Sequence, residues 1–364
     1  MSAVRDFFAS RLGIISVGVF IGIFAALLQY WGNPGNMGIC VACMERDIAG
    51  AVGFHRVAVV QYLRPEILGF VLGALVAAYA FGEYRPRAGS APIVRFLLGM
   101  IAMIGGLVFL GCPWRALLRL AGGDGNAIFG LLGLIAGVWI GTLFFKGGYN
   151  LGRTQHTYAA VGWLLPLLFL GLLALRLIFP PLPDKELSGI LFYSLKGPGA
   201  QRAALPLSLG VGLAVGFLAQ RTRFCTMGAI RDLILFRQVH LFLGIAALLA
   251  AAFLTNLVLG QFKPGFTGQP VAHTMSLWNF AGMVVAGLAF ALAGGCPGRQ
   301  LFLAGEGDGD AAVFVLGMIV GAAVSHNFGL ASSPAGIGPY GMHAVIISLL
   351  VLVFIGYTMR QKLS

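Results

Sequence analysis

Apolar runs of roughly 16–20 residues recur from one end of this chain to the other, each close to the length a helix needs to cross about 30 Å of hydrocarbon. The 364 residues are 59% hydrophobic and only 10% charged, whereas a soluble domain carries about 25% charged residues. No water-soluble fold could bury this much apolar sequence. The runs are those of helices and not of a β-barrel, so the expected class is an all-α integral membrane protein. The 54 glycines fit this class, because small residues let helices approach closely in a bilayer. The first run, Gly13 to Trp31, is too long for a signal h-region and has no small-residue cleavage site, so no cleaved leader is expected.

Ten candidate spans are read: 12–31, 66–82, 93–111, 126–145, 158–179, 204–219, 241–260, 277–295, 311–330 and 341–359. Those before Cys112 and Arg221 are short and run into Gly, Pro and Cys, which suggests chains broken inside the membrane. Pro65 suits a first helical position and Glu66 a first turn, so a helix is expected to start there. The stretch 33–64 before it holds Cys40 to Gly50, too short to cross, and reads as a re-entrant half-helix or an external surface helix. The net charge of +12 comes from basic residues at helix ends with no aromatic interleaving. Nucleic acid is therefore not the expected partner; the charges mark cytoplasmic loops and an anion path. Arg5, Arg11, Arg85, Arg87, Arg95, Lys146, Arg153, Arg221, Arg223, Arg231, Arg237, Arg360 and Lys362 all fall on one side after ten crossings, which puts both termini in the cytoplasm and the 180–203 loop outside.

The chain also repeats itself. Gly111-Cys-Pro-Trp-Arg115 returns as Gly295-Cys-Pro-Gly-Arg299, and Gly123-Asp-Gly125 as Gly307-Asp-Gly309 at the same offset. Cys40 precedes Arg46-Asp47 as Cys225 precedes Arg231-Asp232. Five crossings per half is an odd number, so the second copy is expected upside down, with a substrate site near the midplane where broken helices of the two copies meet. The expected organisation is a first half over 1–157 with re-entrant segments near 40–50 and 112–122. A linking helix and outer loop follow over 158–203. A second, inverted half covers 204–364, with re-entrant segments near 225–237 and 296–305.

Proline in Cys112-Pro113 and Cys296-Pro297 sits where a first helical residue would be, which makes each Cys an N-cap. Free backbone N–H groups and the positive helix end attract an anion there. Arg115 and Arg299 add full charge one turn in, and Gly122-Gly123 and Gly305 are candidate left-handed helix ends. Such a unit offers an anion hole together with a soft sulfur. An ion with a terminal sulfur or selenium and charged oxygens uses both. Arg46 and Arg231 are candidate pore charges; since burying a charge in a membrane costs about 2.5–3.5 kcal/mol or more, they need partners. Asp47 and Asp232 are candidates, although neighbours on a helix diverge and each is expected to pair elsewhere. The plain alternative for these Arg–Asp pairs is anchoring of half-helices. For a free Cys it is a small buried hydrophobe, the reading preferred for Cys43, which has no mate in the second half. Asp124 and Asp308 read as turn caps. No metal-ligand spacing and no phosphate-binding loop is present, so neither metal nor cofactor is expected and the chain does not burn ATP itself.

Asn33-Pro-Gly-Asn-Met-Gly-Ile-Cys-Val-Ala-Cys43, Arg64-Pro-Glu66, Gly111-Cys-Pro-Trp-Arg115, Arg223-Phe-Cys225 and Gly295-Cys-Pro-Gly-Arg299 resemble the YeeE/YedE sulfur-transport family over nearly the whole chain. The first half is most similar to the YedE (FdhT) branch associated with selenium metabolism. The resemblance implies a multi-pass protein of the bacterial inner membrane, shaped as an hourglass of transmembrane and re-entrant helices. It implies three pore cysteines that relay thiosulfate by thiol hydrogen bonds, matching Cys40, Cys112 and Cys296, with Cys225 an added thiol. It also implies a TusA-type sulfur-carrier protein as partner.

The leading expectation is a permease for a small sulfur- or selenium-containing anion, with Cys40, Cys112, Cys225, Cys296, Arg46, Arg115, Arg231 and Arg299 as binding residues and Arg64 drawing the ion into an outer vestibule. The alternative is a membrane thiol enzyme, a sulfurtransferase or redox module that forms a covalent persulfide or selenopersulfide. A third class is a structural subunit of another transporter.

Overall fold

The computed structural model describes residues 2–360, so Lys362 lies outside it. Three short helices and five longer ones open the chain: α1 (Ser2–Ala9), α2 (Arg11–Tyr30), α3 (Val41–Ala51), α4 (Pro65–Ala80), α5 (Pro92–Phe109), α6 (Pro113–Ala121), α7 (Asn126–Lys146) and α8 (Ala159–Ile178). The second half continues with α9 (Leu205–Thr222), α10 (Thr226–Phe236), α11 (His240–Val258), α12 (Ser276–Ala293), α13 (Pro297–Gly305), α14 (Gly309–Asn327) and α15 (Gly341–Thr358). Two antiparallel pairs of two-residue strands, β1 (Arg87–Ala88) with β2 (Gln155–His156) and β3 (Leu187–Ser188) with β4 (Leu191–Phe192), stitch the loops.

Eight stretches are long and apolar enough to cross a membrane. Two of them, Pro92–Ala121 and Ser276–Gly305, join a long helix to a short one across the breaks at Cys112 and Cys296. The other two expected spans form helices that fall below that measure: α4 has only 16 residues, about 24 Å at 1.5 Å per residue, and α9 carries Gln220 and Arg221 within its length. Proline stands in the first turn of α4, α5, α6, α9 and α13, where its missing N–H costs nothing.

The long helices pack as α2 with α11, α4 with α9, α5 with α14 and α7 with α12. Every such pair draws one helix from each half. Exchanging α2 for α9, α4 for α11, α5 for α12 and α7 for α14 turns this set of pairs into itself. The short helices obey the same exchange: α6 lies on α11 as α13 lies on α4, and α3 lies on α14 as α10 lies on α7. α8 and α15 break it, because α8 packs on α4, α13 and α14 while α15 packs on α5, α7 and α12. Small residues set the spacing. A Cβ at Gly73 would clash with the Leu213 carbonyl, and one at Gly133 with that of Phe280, so backbones touch where larger side chains would hold them apart.

The first left-handed helix end falls on Gly123, within the Gly122-Gly123 pair the sequence suggests, and the second two residues beyond Gly305, at Gly307. Gly122 is right-handed and Gly305 is still helical; Gly123 and Gly307 take φ +95° each, which glycine adopts without a Cβ penalty. Each of these turns is tied to the opposite half. Gly265 donates to the Gly123 carbonyl and Gly125 to that of Gly265, while Arg85 donates to Glu306 and Arg87 to Gly307.

Candidate functional site

Four short helices begin at a cysteine. Cys40, Cys112, Cys225 and Cys296 are the N-caps of α3, α6, α10 and α13. The Cys40 thiol accepts from the Cys43 N–H at 3.3 Å and the Cys225 thiol from the Gly228 N–H at 3.2 Å. The Cys112 and Cys296 thiols make no capping hydrogen bond of their own, which leaves the first-turn N–H groups of α6 and α13 without a side-chain cap. The thiols meet in pairs: Cys40 lies beside Cys112, and Cys225 bonds to Cys296 with the sulfurs 3.7 Å apart. In each pair two helix N-termini face one another, so free N–H groups and two positive helix ends converge on two sulfurs.

Arg115 is fully buried. Its guanidinium reaches the carbonyls of Asn36, Leu110, Pro270 and Val271 and the Cys43 sulfur at 3.4 Å. No carboxylate pairs with it among the described residues. Its charge is held by dipoles alone, which leaves a positive potential beside the first thiol pair. Arg299 differs, since it forms a 3.2 Å ion pair with Glu306.

Arg46 and Arg231 bond to their own neighbours, Asp47 at 2.7 Å and Asp232 at 2.8 Å, correcting the expectation that each pairs elsewhere. The long guanidinium stem curls back over the turn, and few other anions are close. Asp47 also takes Arg64 at 2.7 Å. Arg64 is fully buried and holds the carbonyls of Pro198 and Gln201 as well. It is an anchor for the 198–201 loop and lines no vestibule, a correction to its expected role. Asp308 caps α14 through the Ala311 N–H, as a turn cap should, and binds Arg87 at 2.8 Å. Asp124 instead holds the Asn126 N–H and the buried Arg119, the latter at 2.6 Å.

Two cavities approach the thiols. One of about 470 Å³ is lined by Arg221, Arg223, Arg231 and Arg299, with Cys225 on its wall. The other, of about 360 Å³, is lined by Arg46, His326, Leu110 and Val271. Leu110 and Val271 give their carbonyls to Arg115, so the first thiol pair lies sealed behind them. The structure thus brings Cys225, Arg231 and Arg299 to one cavity with Cys296 behind, and gathers Cys40, Cys112 and Arg115 in a closed cluster with Arg46 on the far cavity wall.

Sequence reasoning missed Cys43, set aside as packing, which accepts from Arg115. The Cys-x-x-Cys spacing carried that signal, since an N-cap and the residue three on share one helix end. It also missed Glu45, fully buried with both carboxylate oxygens unpartnered; nothing in its local sequence marks it.

Residues 221–357 match the protein-family model for sulphur transport. No curated protein matches the chain. The match spans α10 to α15 and thus Cys225, Cys296, Arg231 and Arg299. With the eight membrane-length helices, it supports a multi-pass membrane protein of sulfur transport.

Proposed function

We propose that the chain is a permease for a small anion that carries a soft terminal sulfur or selenium atom and charged oxygens. The observation that carries this reading is the meeting of four N-capping thiols in two pairs, the first of them beside Arg115, a buried cation without a carboxylate among the described residues. Helix-end N–H groups and guanidinium charge suit the oxygens. The thiols suit the soft atom, which each can hold by a hydrogen bond and release. In this reading the ion passes between Cys40, Cys112 and Cys296, with Cys225 meeting it in the basic cavity. The exchange of packing partners between halves supports two inverted copies of one unit, with α3, α6, α10 and α13 as re-entrant helices. Each short helix of 9 or 11 residues rises about 14–17 Å, half a bilayer. The basic cavity then faces the cytoplasm together with both termini, in a bacterial inner membrane, and suits a TusA-type sulfur carrier. Thiosulfate is the first candidate ion; selenium anions follow from the similarity to the YedE (FdhT) branch.

Uptake of labelled thiosulfate into vesicles holding this protein alone, in competition with selenite and selenosulfate, tests the reading. Uptake is expected to collapse in Cys112→Ala and Cys296→Ala. Normal transport by both variants would rule out the thiol relay, and no uptake by the wild type would point to a structural subunit.

The 3.7 Å contact of Cys225 with Cys296 favours one second reading, a sulfurtransferase. A Cys225 thiolate would attack the terminal sulfur of thiosulfate, break its S–S bond and release sulfite, leaving a persulfide. Intact-mass measurement after exposure to thiosulfate separates the two: a stable gain of one sulfur belongs to the enzyme only.

A further inference from the structure

One large side chain packs against the segments that carry both thiol pairs. Trp114 stands two residues after Cys112 and is almost completely buried. Its ring lies 5.9 Å from Phe224, the residue before Cys225, with Phe70 at 5.8 Å and Phe302 at 6.0 Å completing the cluster. Its far edge packs on Gly298, two residues after Cys296, where a Cβ would sit 3.2 Å from the ring. Trp114 and Gly298 occupy the same place in the repeated motif, the fourth residue of Gly-Cys-Pro-X-Arg. The largest side chain thus faces the smallest where the two copies meet. A tryptophan at both places would collide; a glycine at both would leave an open hole between the thiol pairs. The indole Nε1–H is buried and has no hydrogen-bond partner. A buried donor left unpaired costs about 1–3 kcal/mol, and buried tryptophans usually find a partner for it. Among its packed neighbours Phe70, Phe224, Phe302 and Gly298, no side chain can accept.

We propose that Trp114 is the gate between the two thiol pairs: its indole closes the gap that Gly298 leaves, and its free N–H is taken up by an oxygen of the anion in transit. The proposal rests on the permease reading and adds to it a barrier and a donor that are not thiols. An aromatic plug holds back water and small ions while the site is empty. An ion bonded to the Nε1–H offsets the cost of the unpaired donor at the moment the ring moves. The gate therefore favours an anion with oxygen acceptors, thiosulfate-like, over a bare sulfide or selenide.

Side-specific thiol labelling tests the barrier without any transported ion. In a Cys225→Ser/Cys296→Ser background, the anionic reagent 2-sulfonatoethyl methanethiosulfonate is added from the Arg223 face, and peptide mass spectrometry reads the tagged cysteines. With Trp114 present, Cys40, Cys43 and Cys112 are expected to stay untagged. With Trp114→Ala, or Trp114→Leu should the alanine variant not fold, Cys112 is expected to gain the tag. Tagging of Cys112 in the parent, or its absence in a variant that elutes as a folded species, overturns the gate. Trp114→Phe keeps the plug and removes the N–H: Cys112 should stay untagged in the serine background, while thiosulfate uptake, measured with all five cysteines present, falls several-fold. Unchanged uptake overturns the donor role. If uptake is instead indifferent to Cys112→Ala and Cys296→Ala, the permease reading fails, and the labelling still decides whether Trp114 separates the pairs.

Discussion

The two thiol clusters are built from one motif and differ in how they are closed. The second, Cys225 with Cys296, opens on a basic cavity, and its Arg299 is balanced by Glu306. The first, Cys40 with Cys112 and Cys43, is shut behind the Leu110 and Val271 carbonyls, and its Arg115 has no carboxylate. Leu110 takes a left-handed φ of +65°, where the second copy has Gly294 at φ +85°. A leucine in that conformation costs roughly 1–2 kcal/mol, and here its carbonyl is aimed at Arg115. One copy spends conformational strain to seal its sulfurs; the other keeps glycine and stays open. Similar local sequence thus yields a closed and an accessible version of the same paired-thiol arrangement.

The largest expected effect comes from Arg115→Ala. It strands carbonyls from three segments and should cost several kcal/mol, since each unsatisfied buried polar group costs about 1–3 kcal/mol. Arg299→Ala, at the open cavity, should cost clearly less. Thermal unfolding in detergent measures both, and equal losses would break the contrast between the clusters. Next comes Asp124→Ala. It leaves the buried Arg119 unpaired, for which about 3–5 kcal/mol is typical. The matched Asp308→Ala removes a cap and a partly exposed partner, about 0.5–2 kcal/mol. A reversed order would show that the repeat matters more than burial. Cys112→Ser and Cys296→Ser come third, with little change in stability and uptake lowered about tenfold or more, the equivalent of one hydrogen bond to a charged group. A deficit in only one would mark that pair as the selective one.

A smaller effect is expected at the mouth of the open cavity. Burial works against the Glu83 carboxylate, but Arg221 at 2.8 Å and Gln220 outweigh it and hold its pKa below the usual range. A depressed carboxylate pKa contributes stability above the ordinary Glu range, and this is lost as pH falls through the folded value. The melting-temperature gap between wild type and Glu83→Gln should therefore be present at neutral pH and vanish under acid. A gap that widens on acidification would contradict the pairing. Smallest of all, Arg223→Gln should slow uptake a few-fold at low salt and little at high salt, because an exposed charge acts by steering.

Much of this was legible in the sequence because it was local. Helix starts at Pro65, Pro113 and Pro297 follow from proline's missing N–H, and the Gly-Asp-Gly turns from glycine's freedom at Gly123 and Gly307. The repeat singled out all four thiols, and the following proline marked two of them, Cys112 and Cys296, as N-caps; that Cys40 and Cys225 cap helices as well was not read from the sequence. What stayed hidden depends on partners distant in the chain. Arg64 looked like an exposed attractor because Pro198 and Gln201, more than a hundred residues on, take its donors. Asp47 looked unable to serve Arg46 because helix geometry describes Cβ directions and not the reach of a guanidinium. The Trp114–Gly298 difference was visible as letters, but only the meeting of α6 and α13 with Phe224 gives it meaning.

The turns at Gly123 and Gly307 have a mechanical consequence. Each is clasped by backbone hydrogen bonds to the opposite half, and every long helix except α8 and α15 also packs chiefly on a helix of that half. A rocking motion of one half over the other would have to unfasten both clasps and slide four glycine-spaced seams at once. Such a frame is a rigid housing, and whatever opens and closes inside it does so by the swing of single side chains.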